Sequence, residues 1–250
     1  MQPQNDAPST SSNLNAESLH VRETPAGAVN LNVEGRQPQT SREGFGHLWQ
    51  KTYRLPLRGA VVTPAEVLRV WKERLPDFQP PHNRVFTTSA GIETGELILI
   101  NADTPSGPVD TGMLVIDASR HSFTLLTPEG HPEAGWITFS TFEADGVTIA
   151  QIESRARASD PIFEIGFRIF GATMQESIWH YVLTALAGHF GVKSDVTLVK
   201  KRLDTHLQWS RVANIRHNAQ LHTLAYTVTA PVRKLFGRSR KGSRDGYPEL

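Results

Sequence analysis

"DPIFEIGFRIFGATMQESIWHYVLTALAGHFG" (Asp160–Gly191) is the segment on which the architecture turns. Asp160 has the side chain of a helix cap, Pro161 suits the first helical position, and Gly191 is a natural stop. Between them Phe163, Phe167, Phe170, Met174, Ile178, Tyr181 and Ala185 recur at steps of three and four, the period of one helical face. About 30 residues at 1.5 Å each make a helix of roughly 45 Å, long enough to cross a whole sheet.

Upstream of it lie six runs of strand character: NRVFTTSA, ELILINAD, GMLVIDAS, SFTLLTP, GWITFSTFEA and GVTIAQIESRARA. Short turns join them, and Asp145–Gly146 between the last two is a hairpin signal, so an antiparallel meander is expected. Before the meander, "TPAEVLRVWKERLPDF" (63–78) reads as a short amphipathic helix. Thr63 and Glu66 form a capping box, Pro64 stands at the first position and Pro76 ends it. Earlier still, "GFGHLWQKTYRLPL" (44–57) reads as a strand. Its Gly44 and Gly46 lack the third glycine of a nucleotide-binding loop. A strand, a short helix, an antiparallel sheet and one long helix define an α+β chain. A sheet that must bury one face against a single helix wraps around it, which is a helix-grip arrangement.

This order of elements resembles the helix-grip fold of the SRPBCC superfamily, the START and birch-pollen-allergen-like proteins. Within it the chain resembles the family called domain of unknown function 1990. The resemblance is carried by "FTLLTPEGHPEAGWITF" (123–139), "VTIAQIESRARAS" (147–159) and "MQESIWHYVLTAL" (174–186), and spans roughly residues 44–190. Its most specific part is Gly130–His131–Pro132–Glu133–x–Gly135. Trp136 stands where the family commonly has an acidic residue, and "ARASDP" where it tends towards Ser-Arg-Pro. The resemblance implies a cavity between sheet and helix and brings no activity with it.

The candidate site follows from these elements. Along "VTIAQIESRARA" one face carries Thr148, Ala150, Ile152, Ser154, Ala156 and Ala158, and the other Gln151, Glu153, Arg155 and Arg157. The first is small-sided and the second reads as solvated. Small residues opposite the helical Phe and Met stripe either let the helix pack close or leave room for a small apolar ligand. The expected ligand-binding residues are His131, Trp136, Phe167, Phe170, Met174 and Tyr181, with Trp136 near the mouth. His131 and Glu133 read first as solvent-edge residues of a glycine-flanked turn, second as contacts at a pocket mouth, and last as an acid/base pair. His180, beside the apolar stripe, reads as a boundary residue.

The chain has no cysteine, which removes disulfides, thiolate catalysis and Cys-based metal sites. Its histidines lack ligand spacing, so no metal and no cofactor is expected. The reading leans away from an enzyme, with an SRPBCC cyclase or hydrolase as the alternative. The first 20 residues lack a basic and an apolar region of the kind a secretory signal needs, and no run is long enough to span a membrane. A cytoplasmic protein is therefore expected. Residues 1–42, rich in Gln, Asn, Ser and Pro, read as disordered, 43–192 as the folded domain, and 193–250 as a basic, partly helical extension with a disordered end. From Gly191 onward 12 Lys and Arg face 4 Asp and Glu. Such a tail suits a solvated extension, or contact with an anionic membrane surface through Leu221, Leu224, Tyr226, Leu235 and Phe236. No nucleic-acid motif accompanies it, so nucleic acid is not an expected partner.

Overall fold

A computed structural model describes residues 18–239, apart from the side chains of 170–173 and 231–239. The chain runs β1 (Pro38–Gln39), β2 (Leu48–Pro56), α1 (Pro64–Glu73), β3 (Asn83–Thr87), β4 (Leu97–Thr104), β5 (Gly107–Ala118), β6 (Ser122–Pro128), β7 (Glu133–Ala144) and β8 (Val147–Ala158). After β8 come α2 (Pro161–Gly166), a π-helical turn (Phe167–Gly171), α3 (Ala172–His189), β9 (Thr197–Asp204), a 3-10 segment (Trp209–His217) and α4 (Ala219–Ser239). The strands form one antiparallel sheet in the order β3-β4-β5-β6-β7-β8-β2-β9, with β1 added beside β6. This is the α+β helix-grip, and its local signals act as the sequence implies. The Thr63 hydroxyl accepts from the Glu66 amide at 3.2 Å, and the Asp160 carboxylate accepts from the amides of Ile162 and Phe163 at 2.8 and 3.0 Å. Gly44–Phe45–Gly46 is a strand entry, its last two amides both donating to the Ala158 carbonyl.

The core fills only part of the space between sheet and helix. α1 packs Val67, Leu68 and Trp71 under the sheet, where Trp71 meets Phe139 edge-on at 5.3 Å and Phe139 stacks on Phe123 at 4.5 Å. From the other side the C-terminal half of α3 delivers Val182, Leu183, Leu186 and Ala187, all fully buried. That stripe is not the expected one. Tyr181, expected to face inward, is 45% exposed. The π-turn is the cause. It takes one residue more than an α-turn, so every position beyond it rotates by roughly 100° relative to an unbroken α-helix. The expected 178, 181 and 185 become 179, 182 and 186, and the apolar face slips by one residue.

The domain also extends further than expected in both directions. Residues 18–42, expected to be disordered, lie against the convex face of the sheet. Leu19 and Val33 are buried there against Leu97 and Leu99, and Asn101 exchanges two hydrogen bonds with the Val29 backbone. A handful of apolar residues in a polar segment suffices because the sheet presents a second apolar patch to receive them. Residues 1–17, also expected to be disordered, lie outside the described residues. On the C-terminal side the boundary expected at 192 moves outward. β9 completes the sheet beside β2, and α4 packs on β5, where the Thr223 hydroxyl accepts from the Asp110 amide at 3.1 Å. Leu224 turns to Gly107 of the sheet, so it is not available to a membrane surface, whereas Leu221 and Tyr226 are exposed. The side chains of Leu235 and Phe236 and the residues after 239 lie outside the described residues.

The slipped stripe is testable by denaturant unfolding. Leu183→Ala should cost about 2–5 kcal/mol, the range for a large core side chain cut to alanine. Tyr181→Ala should stay within about 0.5 kcal/mol, as surface changes do. Comparable losses at both positions would mean that the helix continues in α-register.

Candidate functional site

Where α1 and the C-terminal half of α3 end, the sheet and helix part. Between them lies a cavity of about 410 Å³. Its floor is the inner face of β4 and β5, with Ile100, Ala102 and Met113; its roof is α2, the π-turn and the first half of α3, with Phe163, Met174 and Ile178. The wall is mostly apolar, but two buried polar atoms in it have no partner, the Thr111 hydroxyl and the Trp179 indole nitrogen. The first turn of α4 closes the rim, where the Gln220 amide donates to the hydroxyls of Thr104 and Ser106 at 3.2 and 2.7 Å.

The segment Gly130–Gly135 forms one side of this cavity, and its two glycines are needed for different reasons. Gly130 has φ +84°, and a Cβ there would lie 1.9 Å from the His217 carbonyl. This close approach lets the C-terminal extension dock, the Ala219 amide donating to the Gly130 carbonyl at 2.9 Å. At Gly135, with φ +149°, a Cβ would lie 2.2 Å from the Arg155 carbonyl of β8. Buried Thr127 ties the segment together, accepting from the Gly135 amide at 3.0 Å and donating to the carbonyl of Gln39 in β1 or of Gly135. The turn reading holds for the backbone.

For the side chains it does not. His131 and Glu133, expected at the solvent edge, both line the cavity. His131 Nδ1 lies 3.1 Å from the Glu133 amide nitrogen and 3.0 Å from its carbonyl, so the ring is bound to the backbone and not to the carboxylate. Burial lowers its pKa to about 4. Burial also raises the pKa of Glu133, opposed by the nearby Lys51 ammonium and by the hydrogen bond from the Gln175 amide. His180 lies on the exposed side of α3, within 3.5 Å of Thr184. His131, Glu133 and His180 therefore do not converge. Among the described residues no three His, Asp or Glu are placed to hold a metal ion.

Of the other expected residues, Phe167 and Met174 line the cavity. Trp136 borders it, but strand alternation turns its ring to the opposite face, where the Arg155 guanidinium lies 5.7 Å over it. Tyr181 lies outside, and the side chain of Phe170 is outside the described residues. Ala150 belongs to the packed core, and the small residues that border the cavity are Ser154 and Ala156.

The largest omission is Lys51. It is buried, donates to Gln175 Oε1 at 2.6 Å and lies 3.5 Å from Glu176. Its signal was present in the sequence, because Lys51 shares a strand face with Tyr53 and Leu55. A lysine in the buried register of a strand calls for a partner. Tyr53 buries its hydroxyl without one, and burial together with Glu176 and Glu133 pushes its pKa up. Arg157, expected on a solvated face, is also buried. It donates to the Gly46 carbonyl at 3.1 Å and to Asp204 at 3.0 Å, so the end of β8 is tied to the end of β9.

No family model and no curated protein matches the chain. Solved structures with a similar fold include protein Ms6760 from Mycobacterium smegmatis, at 12% identity over 57% of this chain and 90% of that one, TM-score 0.41. The major latex-like protein 151 of Panax ginseng is 10% identical over 58% and 99% of the two chains, TM-score 0.38. The di-domain ARO/CYC StfQ of the steffimycin biosynthetic pathway is 14% identical over 61% and 54%, TM-score 0.45. The architecture is the helix-grip of the SRPBCC superfamily. Among the described residues no helix is long and apolar enough to cross a membrane.

The two buried titrating groups act in opposite directions on stability. Unfolded His131 takes up its proton near pH 6.5 and the folded residue only near 4. Across that window the unfolded state binds more protons, so stability falls as the pH drops. His131→Gln should therefore lose less of its melting temperature than the parent between about pH 6.5 and 4.5, read by circular dichroism. Folded Glu133 keeps a proton that the unfolded chain releases near pH 4.5, so its contribution falls as the pH rises above that value. Glu133→Gln should melt higher than the parent at neutral pH; a lower melting temperature would show that the charged form is the one the site stabilises.

Proposed function

We propose that the protein is a binding module for a small hydrophobic or amphipathic molecule held between the sheet and the long helix. The cavity itself carries this reading. At about 410 Å³ it falls within the range of small-molecule sites, and its apolar wall with a few polar atoms has their composition. The Thr111 hydroxyl and the Trp179 indole N–H are buried without partners, and a buried polar group in that state costs about 1–3 kcal/mol unless something hydrogen-bonds to it. A ligand with one oxygen among its apolar atoms would satisfy both. The closer kinship to domain of unknown function 1990 belongs to the same proposal and rests on residues 123–139, 147–159 and 174–186. A cytoplasmic location also belongs to it.

The alternative, an enzyme of the SRPBCC cyclase or hydrolase type, has one specific observation in its favour. Glu133 is a carboxyl group in the cavity wall with a pKa above the ordinary value, as a general acid requires. The two readings separate at Glu133→Gln, which would abolish turnover of an enzyme's substrate while leaving uptake of a pure ligand intact.

Filling the cavity tests the binding reading. Ala102 projects from β4 into open space, so Ala102→Trp should abolish uptake of an apolar fluorescent probe with little change in unfolding free energy. Ala150→Trp, placed in the closed core, should instead overpack it and cost about 1–3 kcal/mol or more. If Ala102→Trp binds the probe like the parent, the cavity is not the binding site.

A further inference from the structure

Beside the apolar cavity lies a second space of about 340 Å³, opening between β2, β9 and the helix. The two share a wall of five residues: Glu133, Ser154, Ala156, Phe167 and Gln175. The hydrogen bond from Gln175 to Glu133 is the polar part of that wall. The first space is apolar, whereas the second is lined by Lys51, Arg157, Arg168, Lys200 and Arg202, with Glu133, Glu164 and Glu176 as its acids.

How these charges are paired matters more than their number. Arg157 is satisfied by Asp204 and Arg168 by Glu164. The strand register sets Lys51 directly opposite Lys200, and Trp49 opposite Arg202. Like charges facing each other across an antiparallel pair are destabilising. Here the two ammonium groups share a single carboxylate, Glu176, at 3.5 Å from Lys51 and 3.1 Å from Lys200. Arg202 lies flat over the Trp49 ring at 4.5 Å, and no carboxylate pairs with it among the described ion pairs. The remaining acid, Glu133, is the one whose burial favours its neutral form. This face of β2 and β9 carries more positive charge than its own acids neutralise, and it adjoins the apolar cavity.

We propose that this vestibule is an oxyanion site. It takes the carboxylate, sulfate or phosphate end of an amphipathic molecule whose apolar body lies in the cavity. The inference rests on the ligand-binding reading and narrows it to anionic amphiphiles. Lys51 and Lys200 contact the oxyanion, Arg202 supplies a planar donor set at the outer edge, and the Glu133–Gln175 pair stands where head and body meet. A second anion between the lysines relieves the repulsion that Glu176 alone leaves.

Two probes that share an aromatic framework and differ in charge test this. 8-Anilinonaphthalene-1-sulfonate carries a sulfonate, and N-phenyl-1-naphthylamine is its neutral counterpart. Their binding to the full chain would be titrated by fluorescence at low and high salt. The expected result is tighter binding of the sulfonate, weakened by salt, with affinity for the neutral probe independent of salt. Lys200→Gln, on an exposed edge strand, and Lys51→Met should each weaken sulfonate binding by about tenfold, the scale of one charge-assisted hydrogen bond, and leave the neutral probe unchanged. Cooperative thermal unfolding of each variant separates lost binding from lost folding, and Lys200→Gln remains informative if Lys51→Met does not fold. Equal affinity for the two probes, or a sulfonate affinity indifferent to Lys200, would overturn the oxyanion site and leave the cavity reading standing. Failure of both probes to bind would overturn both.

Discussion

One helix has to cover the concave face of a sheet many strands wide, and the rest of the structure follows from how it does so. A helix is about 10 Å across with its side chains, so it cannot touch the whole inner face of a sheet this wide. The chain resolves the mismatch unequally along the helix. At the C-terminal end α1 fills the gap, and Trp71, Phe139, Leu183 and Leu186 close on one another. At the N-terminal end no second helix is inserted, and the space remains. Stability and function are thus placed at opposite ends of one element. Each large apolar side chain in the packed end contributes about 1.5–3 kcal/mol by leaving water. Those in the open end contribute less, and their surface remains available to a ligand.

The two extensions matter for the same reason. Residues 18–36 bury Leu19 and Val33 on the convex face, while α4 and the 3-10 segment lean against the Gly130 turn and the β4–β5 hairpin. Both meet at Asn32, whose amide donates to the Asp110 carbonyl at 2.9 Å and to the Thr223 hydroxyl at 3.2 Å. Segments that are polar overall are therefore held by a few apolar anchors and by hydrogen bonds to specific backbone groups. In this chain the cavity rim is built partly by the C-terminal extension, through Gln220, and not by the sheet and long helix alone.

The architecture could be read from the chain because its signals are local. Capping boxes, a strand period of two, Asp–Gly at a hairpin and thirty residues of helical periodicity each act within a few positions, and the order of elements leaves one sensible layer arrangement. The site was less legible because it depends on register and on distant segments. The π-turn leaves the helix a helix but rotates everything after it, so Tyr181 was misplaced while Phe167 and Met174, before or close to the turn, were not. His131 and Glu133 looked like loop residues because nothing nearby shows that the helix and the C-terminal extension will cover them. Leu19 and Val33 sit in a composition typical of disorder, and only the apolar patch formed by Leu97 and Leu99, more than 60 residues away, makes their burial favourable.

Lys51 shows how the two kinds of information combine. A lysine on a buried strand face must either lower its charge or find partners, and this one finds Gln175 and Glu176 on the helix. Those contacts hold the first half of α3 over β2 at the place where the helix has parted from the sheet. Replacing the group with apolar side chains would suit a protein selected only for stability, since a buried ion pair is often no better than well-packed hydrophobic residues. Here the polar set is kept at the junction between an apolar cavity and a cationic opening, with Lys200 set directly against it. The arrangement gives up stability at the point where an anionic end of a ligand would restore it, and this couples occupancy of the cavity to the seating of the helix.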